Sequence, residues 1–140
     1  MDTKLNRNLE KLEEIKDALS MFDEPLDMIA QLIDIGKLNH NLNSSEKNEN
    51  NIIVGCTSRA WIAISETSKN CYEIKTDSDS HIVSGLLYLL SLSVNNQSKN
   101  NIEAVDGLKL LDSIGLHSHI TSQRTNGFLS AIETLKKRIS

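Results

Sequence analysis

Cys56 is the residue of this chain whose surroundings best suit covalent chemistry. It follows Gly55 in the segment IIVGCTSRAWIAI, residues 52–64, between two apolar runs. Because glycine takes backbone angles closed to other residues, Gly55 predicts a sharp turn that presents the thiol at the end of a strand. Arg59, three residues on, adds a positive charge that favours the nucleophilic thiolate. Free cysteine is also often buried as a small apolar side chain, so the residues alone leave a nucleophile and a core cysteine open.

The second thiol and the imidazoles are weaker candidates. Cys71 opens a run of alternating polarity, which predicts an ordinary strand cysteine. His117 and His119 form an HxH pair, but no carboxylate or cysteine lies near them in the sequence to complete a metal site, and we expect no metal. His81 begins an apolar helix and is a candidate general base for Cys56.

Two carboxylates and one arginine stand at predicted helix starts. Asp77 and Asp79 in the segment TDSDS suit a catalytic pair or a cation site, but N-capping of the following helix explains them more simply. Arg124 precedes the helix predicted at the end of the chain, where it either holds a carboxylate or is solvated. Trp61, the only tryptophan, is predicted to pack against a helix from its strand.

The bulk composition indicates a globular protein without a membrane span or a nucleic-acid partner. The chain has 140 residues, 39% of them hydrophobic and 24% charged, with a net charge of −4, so we expect a single domain over residues 1–140. Its largest basic cluster is the KKR of residues 136–138, too small to predict nucleic-acid binding. No apolar stretch reaches membrane-span length and the N-terminus has no signal-peptide core, so we expect a cytoplasmic protein with reduced thiols.

The apolar spacing places helices before and after a block of strands. Leucines and isoleucines recur three and four residues apart over residues 4–22, and a second stripe follows Pro25. The asparagine-rich residues 39–51 are predicted to form a mobile loop. The last helix is expected to run from about residue 126 to residue 138.

Between these helices the pattern changes to strands and one apolar helix. Short β-rich runs at residues 51–55, 60–67 and 71–76 predict a three-stranded antiparallel sheet, with a hairpin turn at SKN. Residues 80–94 are apolar on nearly all sides, which is typical of a buried helix. The fold class predicted is therefore α+β: a small three-stranded antiparallel sheet flanked by helices, with one buried central helix.

Three segments of the chain, taken in order, resemble the SufE family of sulfur-acceptor proteins. The segment VGCTSRAWI, residues 54–62, is similar to the family's G-C-x-S-x-x-W core. TDSDSHIVSGLLYLL, residues 76–90, is similar to D-S-D-x-x-I-V-x-G-L, and TSQRTNGF, residues 121–128, to S-R-x-x-G. The order and spacing of the three segments make the resemblance specific, and it spans roughly residues 7–138.

The resemblance implies a role in iron–sulfur cluster assembly. Cys56 matches the family's sulfur-accepting cysteine, which takes sulfane sulfur from the persulfide of a cysteine desulfurase that contains pyridoxal phosphate, stimulates that enzyme, and passes the sulfur to a scaffold complex. The protein would be an accessory protein without a cofactor of its own. The positions expected to support the cysteine or to bind the partner are Gly55, Ser58, Arg59, Asp77, Asp79 and Arg124.

Departures from the family and two other functions stay open. The linker before the cysteine is the polar NSSEKNENN, and Arg59 replaces a small apolar residue; both bear on partner fit. An iron–sulfur scaffold would use about three cysteine-type ligands, whereas the chain has two cysteines. A Cys–His hydrolase would need a histidine beside Cys56. Homodimer formation is also open, and Cys71 is given no role.

Overall fold

Six α-helices and a β-hairpin make up the part of the chain that the computed structural model describes, which is residues 3–39, 42–55, 58–116 and 118–140, with side chains from residue 6 onward. In chain order the elements are α1 (Thr3–Ser20), α2 (Pro25–Lys37), a 3₁₀ turn (Glu49–Asn51), β1 (Ala60–Ser68), β2 (Cys71–Ser78), α3 (His81–Val94), α4 (Lys99–Glu103), α5 (Gly107–Ile114) and α6 (Ser122–Ile139).

Helix α3 is the centre of the fold. Ten of its fourteen residues are buried, as the apolar pattern on all its sides predicts. It contacts α1, α2, α6 and strand β2, so helices and sheet share one hydrophobic core. The side chain of Ser80 caps its N-terminus by accepting a hydrogen bond from the backbone N–H of Val83 at 3.4 Å. The prediction of a buried central helix is confirmed.

The sheet consists of the antiparallel pair β1 and β2. Trp61 lies opposite Asp77 and Ile64 opposite Ile74, and the turn between the strands ends at Asn70, whose φ is 57°. Asparagine tolerates this left-handed conformation better than most residues, which explains the hairpin turn at SKN.

The prediction of a third strand is wrong for the residues that the structure describes. Toward β1 the run at residues 51–55 makes only an isolated bridge, from Ile52 to Trp61, and one backbone hydrogen bond, from the N–H of Ile53 to the carbonyl of Ala60 at 2.9 Å. The outer carbonyl of Ile62 instead accepts a hydrogen bond from the side chain of Arg138 at 2.8 Å. Because a side chain occupies this edge of β1, the neighbouring segment cannot continue a ladder there.

The asparagine-rich segment folds back on itself over residues 42–51. The side chain of Asn43 accepts from the backbone N–H of Glu46 at 3.1 Å, and that of Asn48 accepts from the N–H of Asn51 at 3.2 Å. Asparagine side chains that bond neighbouring backbone groups in this way stabilise turns. That the segment is mobile stays a prediction.

Helix α6 begins earlier than the sequence predicts. Its first residue is Ser122 and its N-cap is Thr121, whose hydroxyl accepts from the N–H of Arg124 at 3.3 Å. Arg124 therefore lies inside the first turn and not before the helix. Among the helices described, none combines the length and the apolar character needed to cross a bilayer.

Candidate functional site

A tight loop carries the predicted nucleophile. The hydrogen bond from the N–H of Ile53 to the carbonyl of Ala60 closes residues 54–59 into what we call the cysteine loop. Cys56 lies outside the described residues, as does Thr57, so the site is built from the two ends of this loop. Gly55 has a φ of 96°, which L side chains rarely adopt, and this confirms the sharp turn expected there.

The loop's entry segment rests against helix α6. A Cβ atom placed on Gly55 would lie 2.8 Å from Oγ of Ser130, a residue in the middle of that helix. Glycine is therefore required by two independent constraints, its backbone angle and the closeness of Ser130. Val54 just before it is 80% exposed, so the loop presents an apolar side chain to the outside.

The exit of the loop is bonded to the turn that precedes α3. The carbonyl of Arg59 accepts hydrogen bonds from the hydroxyl of Ser78 at 2.8 Å and from the N–H of Asp79 at 3.0 Å. The Arg59 guanidinium Nε donates to Oδ2 of Asp79 at 2.8 Å. The first two sequence segments that resemble the family are thus joined by three hydrogen bonds at this point.

The two aspartates form ion pairs, and the prediction that they cap α3 is wrong. Ser80 makes the capping hydrogen bond. Asp79 pairs with Arg59, and the largely buried carboxylate of Asp77 pairs with Nζ of Lys47 at 2.9 Å. The carboxylates point to different cations, so the arrangement does not resemble a pair of catalytic acids that share a proton.

Two cations cover Trp61, whose position in β1 alternates with that of the core residue Ile62. Nζ of Lys47 lies 5.5 Å from the centroid of the ring and the guanidinium carbon of Arg59 lies 5.8 Å from it. Both distances are within the range of cation–π attraction. The residue is 6% exposed, and its packing against a helix stays a prediction.

These pairs change the electrostatic argument for Cys56. The sequence predicts that Arg59 favours a thiolate, but Asp79 neutralises much of that charge at 2.8 Å. The Arg59 side chain is also 73% exposed, where water screens its field. Arg59 and Asp79 therefore form an exposed ion pair at the exit of the cysteine loop.

Arg124 does not join this cluster. It is half-buried in the first turn of α6, and within the described part of the chain no ion pair involves its guanidinium. Six residues separate it from Ser130, about 9 Å along a helix. The third sequence segment therefore reaches the cysteine loop through the helix that it begins.

Arg138 is a residue of the site that sequence reasoning missed. Its guanidinium donates to the carbonyl of Ile62 at 2.8 Å and to that of Ile52 at 3.3 Å. Partial burial lowers the pKa of this guanidinium from its usual value. The sequence offered one signal, the KKR at the end of the last helix, which helix-dipole reasoning explains without any contact.

Of the remaining chemical candidates, Cys71 lies apart from the loop ends, whereas His81 follows the turn that is bonded to Arg59. Cys71 stands at the turn end of the hairpin, across eight residue spacings of β1, or about 26 Å of extended strand, from Ala60. His81 is exposed at the start of α3, His119 is half-buried, and His117 lies outside the described residues. Within the described ranges, no group of three His, Cys, Asp or Glu side chains is arranged to hold a metal ion.

Comparison with known proteins shows the family of the chain. The SufE family model, described as an Fe-S metabolism associated domain, matches residues 13–139. The chain therefore belongs to the SufE family, a family associated with iron–sulfur metabolism, and the resemblance seen in the three sequence segments is confirmed.

Relatives and a solved structure agree with this assignment. An uncharacterised SufE-like protein of Rhizobium etli is 28% identical over 130 residues, which cover 90% of this chain and 87% of the relative. An uncharacterised SufE-like protein of Rhizobium meliloti is 29% identical over 128 residues, which cover 89% of this chain and 91% of the relative. The solution structure of a hypothetical protein from Thermus thermophilus matches with a TM-score of 0.69 and 14% identity over 92% of this chain and 93% of that one. At that identity the last match supports the fold alone.

Proposed function

We propose that this protein accepts sulfane sulfur from the persulfide of a cysteine desulfurase that contains pyridoxal phosphate, and that Cys56 carries it. The observation that supports this most is the cysteine loop. The family's cysteine position falls inside a six-residue loop, 54–59, whose two ends are held by Ile53 and Ala60. A short loop with fixed ends restricts the approach of the thiol to another protein's persulfide.

The proposed transfer conserves atoms and electrons. The Cys56 thiolate attacks the outer sulfur of the desulfurase persulfide, a new S–S bond forms at Cys56, and the S–S bond of the donor breaks. The donor cysteine leaves as a thiolate, so there is no net oxidation or reduction. The protein stimulates the desulfurase by removing its product sulfur, and an iron–sulfur scaffold complex in the cytoplasm receives the sulfur from Cys56.

The exposed residues around the loop ends suit a docking face. Val54 is 80% exposed and the Arg59 and Asp79 side chains are 73% and 48% exposed. The exposed apolar side chain can make a hydrophobic contact with the desulfurase, and the ion pair can orient the two proteins through polar contacts. Ser58, which is half-buried, precedes Arg59 in the chain. Asp77 pairs with Lys47, which lies over the Trp61 ring as Arg59 does.

Intact-mass measurement tests the proposal directly. The protein is mixed with a cysteine desulfurase, pyridoxal phosphate and cysteine, and its mass is read without reductant. We expect the mass of one added sulfur on the wild-type protein and on Cys71→Ser, and none on Cys56→Ser. A Cys56→Ser protein that still carried the sulfur and still stimulated the desulfurase would overturn the proposal.

A further inference from the structure

The C-terminal end of α6 holds both sides of the cysteine loop. The guanidinium of Arg138 bonds the carbonyl of Ile52, which precedes the loop, and the carbonyl of Ile62, which follows it. One side chain therefore ties together two backbone segments whose other described links are the Ile53–Ala60 hydrogen bond and the bridge at Ile52.

The same helix supports the loop entry at a second point. Ser130 lies behind Gly55, eight residues before Arg138 in α6, which is about 12 Å along the helix axis. Ile52, three residues before Gly55, accepts the hydrogen bond from Arg138. The loop entry therefore meets α6 at two points, Arg138 and Ser130.

The chemistry of these contacts calls for arginine. A planar guanidinium offers five N–H donors in fixed directions, so it can bond two carbonyls at once, whereas a lysine ammonium is a single point of charge on a flexible stem. Both contacts are charge-assisted, and the one to Ile62 is partly buried. In the described part of the chain no carboxylate pairs with Arg138, so its donors are directed to the backbone.

We propose that Arg138 is a positioning residue for sulfur transfer: by clamping Ile52 to Ile62 it fixes the stem of the cysteine loop and so the direction from which the thiol attacks the persulfide. This inference rests on the proposed function. Displacement at sulfur requires an aligned approach, and loss of alignment slows the step without weakening partner docking. The docking face around Val54 and Arg59 makes no bond to Arg138 among those described.

The experiment compares Arg138→Met, Arg138→Lys and the control Lys137→Met, which removes an exposed neighbouring charge. Desulfurase activity is measured against the concentration of each variant. For Arg138→Met we expect the maximal stimulated rate to fall about tenfold, equivalent to about 1.4 kcal/mol, with an unchanged half-saturating concentration. Arg138→Lys should recover part of the rate, because lysine can still bond one carbonyl.

The split between the two kinetic parameters separates positioning from mere stability. A variant that was only less stable would have a smaller active fraction, which raises the apparent half-saturating concentration and leaves the maximal rate intact. Amide hydrogen exchange gives a second measurement: in Arg138→Met the N–H of Ile53 should exchange about tenfold faster, while that of Leu89 in α3 stays within about twofold.

The outcomes decide between the two proposals. If Arg138→Met matches Lys137→Met in maximal rate while the wild-type protein gains sulfur, the positioning role is wrong and the proposed function stands. If the wild-type protein gains no sulfur, the proposed function is wrong and Arg138 is left as a structural clamp. Should Arg138→Met not fold, Arg138→Lys answers the same question: an unchanged maximal rate and unchanged Ile53 exchange would overturn the inference.

Discussion

Replacing Gly55 by alanine perturbs the cysteine loop in two ways that can be measured separately. The first is conformational: at a φ of 96° an L residue is strained, which costs about 1–2 kcal/mol. The second is steric: the new Cβ would lie 2.8 Å from Oγ of Ser130 but 3.5 Å from its Cβ. Only the hydroxyl must move, at the cost of an off-rotamer side chain, about 0.5–1.5 kcal/mol.

Gly115 supplies the matched control for the conformational part. Its φ is 84°, and the nearest atom to an added Cβ is Cε of Met28 at 3.8 Å, an ordinary contact. Gly115→Ala should therefore lose about 1–2 kcal/mol of unfolding free energy from strain alone. Gly55→Ala should lose about 1 kcal/mol more, and this excess should vanish in a Ser130→Ala background.

Urea unfolding is measured for the wild-type protein, for Gly55→Ala, Gly115→Ala and Ser130→Ala, and for the double variant of Gly55 and Ser130. The midpoint should shift while the dependence of the unfolding free energy on urea stays constant, because the surface exposed on unfolding is the same. Equal losses for Gly55→Ala and Gly115→Ala would refute the claim that Ser130 supports the loop entry. If the additional loss in Gly55→Ala persisted without the Ser130 hydroxyl, it would arise from another contact. That result would also refute the claim about Ser130.

Three further experiments test the core, the ion pair of Lys47 with Asp77 and the second thiol. Gly85→Ala should lose about 3 kcal/mol or more by chemical denaturation, since its Cβ would overlap the carbonyl oxygen of Leu32 and lie 2.8 Å from Cδ1 of that residue, in a core that resists overpacking. A double-mutant cycle of Lys47→Met and Asp77→Asn should give a coupling of about 1 kcal/mol, because the pair is close and the carboxylate is largely buried. Cys71→Ser should keep the full rate of desulfurase stimulation, since this thiol lies at the turn end of the hairpin.

Each of these has a control and a contrary outcome. The nearest atoms to a Cβ on Gly107 are the ends of the Leu129 and Ile132 side chains, which can move. Gly107→Ala should therefore cost less unfolding free energy than Gly85→Ala. The reverse order would contradict the close contact between Gly85 and the backbone of Leu32. The exposed pair Lys37–Asp34, at 3.8 Å, should couple by no more than about 0.3 kcal/mol, and an equal coupling in both cycles would count against a special role for Lys47. A clear loss of stimulation in Cys71→Ser would give the second thiol a role.

Local patterns predict the parts of this protein whose causes are local. The all-round apolar character of residues 80–94 indicates a buried helix, and alternation on either side of SKN indicates the hairpin of β1 and β2. Three short segments in order indicate the family, which the family model confirms. These features follow from residue spacing or from turn chemistry, both of which act over a few residues.

Two of the failures share one physical cause, which is competition from groups distant in the sequence. The pattern predicts a third strand at residues 51–55, but Arg138 takes the carbonyls of Ile52 and Ile62. It predicts that Asp77 and Asp79 cap α3, but these carboxylates pair with Lys47 and Arg59. A local pattern carries no information about a side chain that arrives from about 20 to 80 residues away.

The sequence by itself determined that a thiol follows a glycine in a family-specific segment, and that a buried helix organises the fold. Only the tertiary structure decided what holds the cysteine loop: Ser130 behind Gly55, Asp79 on Arg59 and Arg138 across the stem. The reason is that hydrogen bonds and ion pairs depend on distances of a few ångströms, which arise only after helices and sheet have packed.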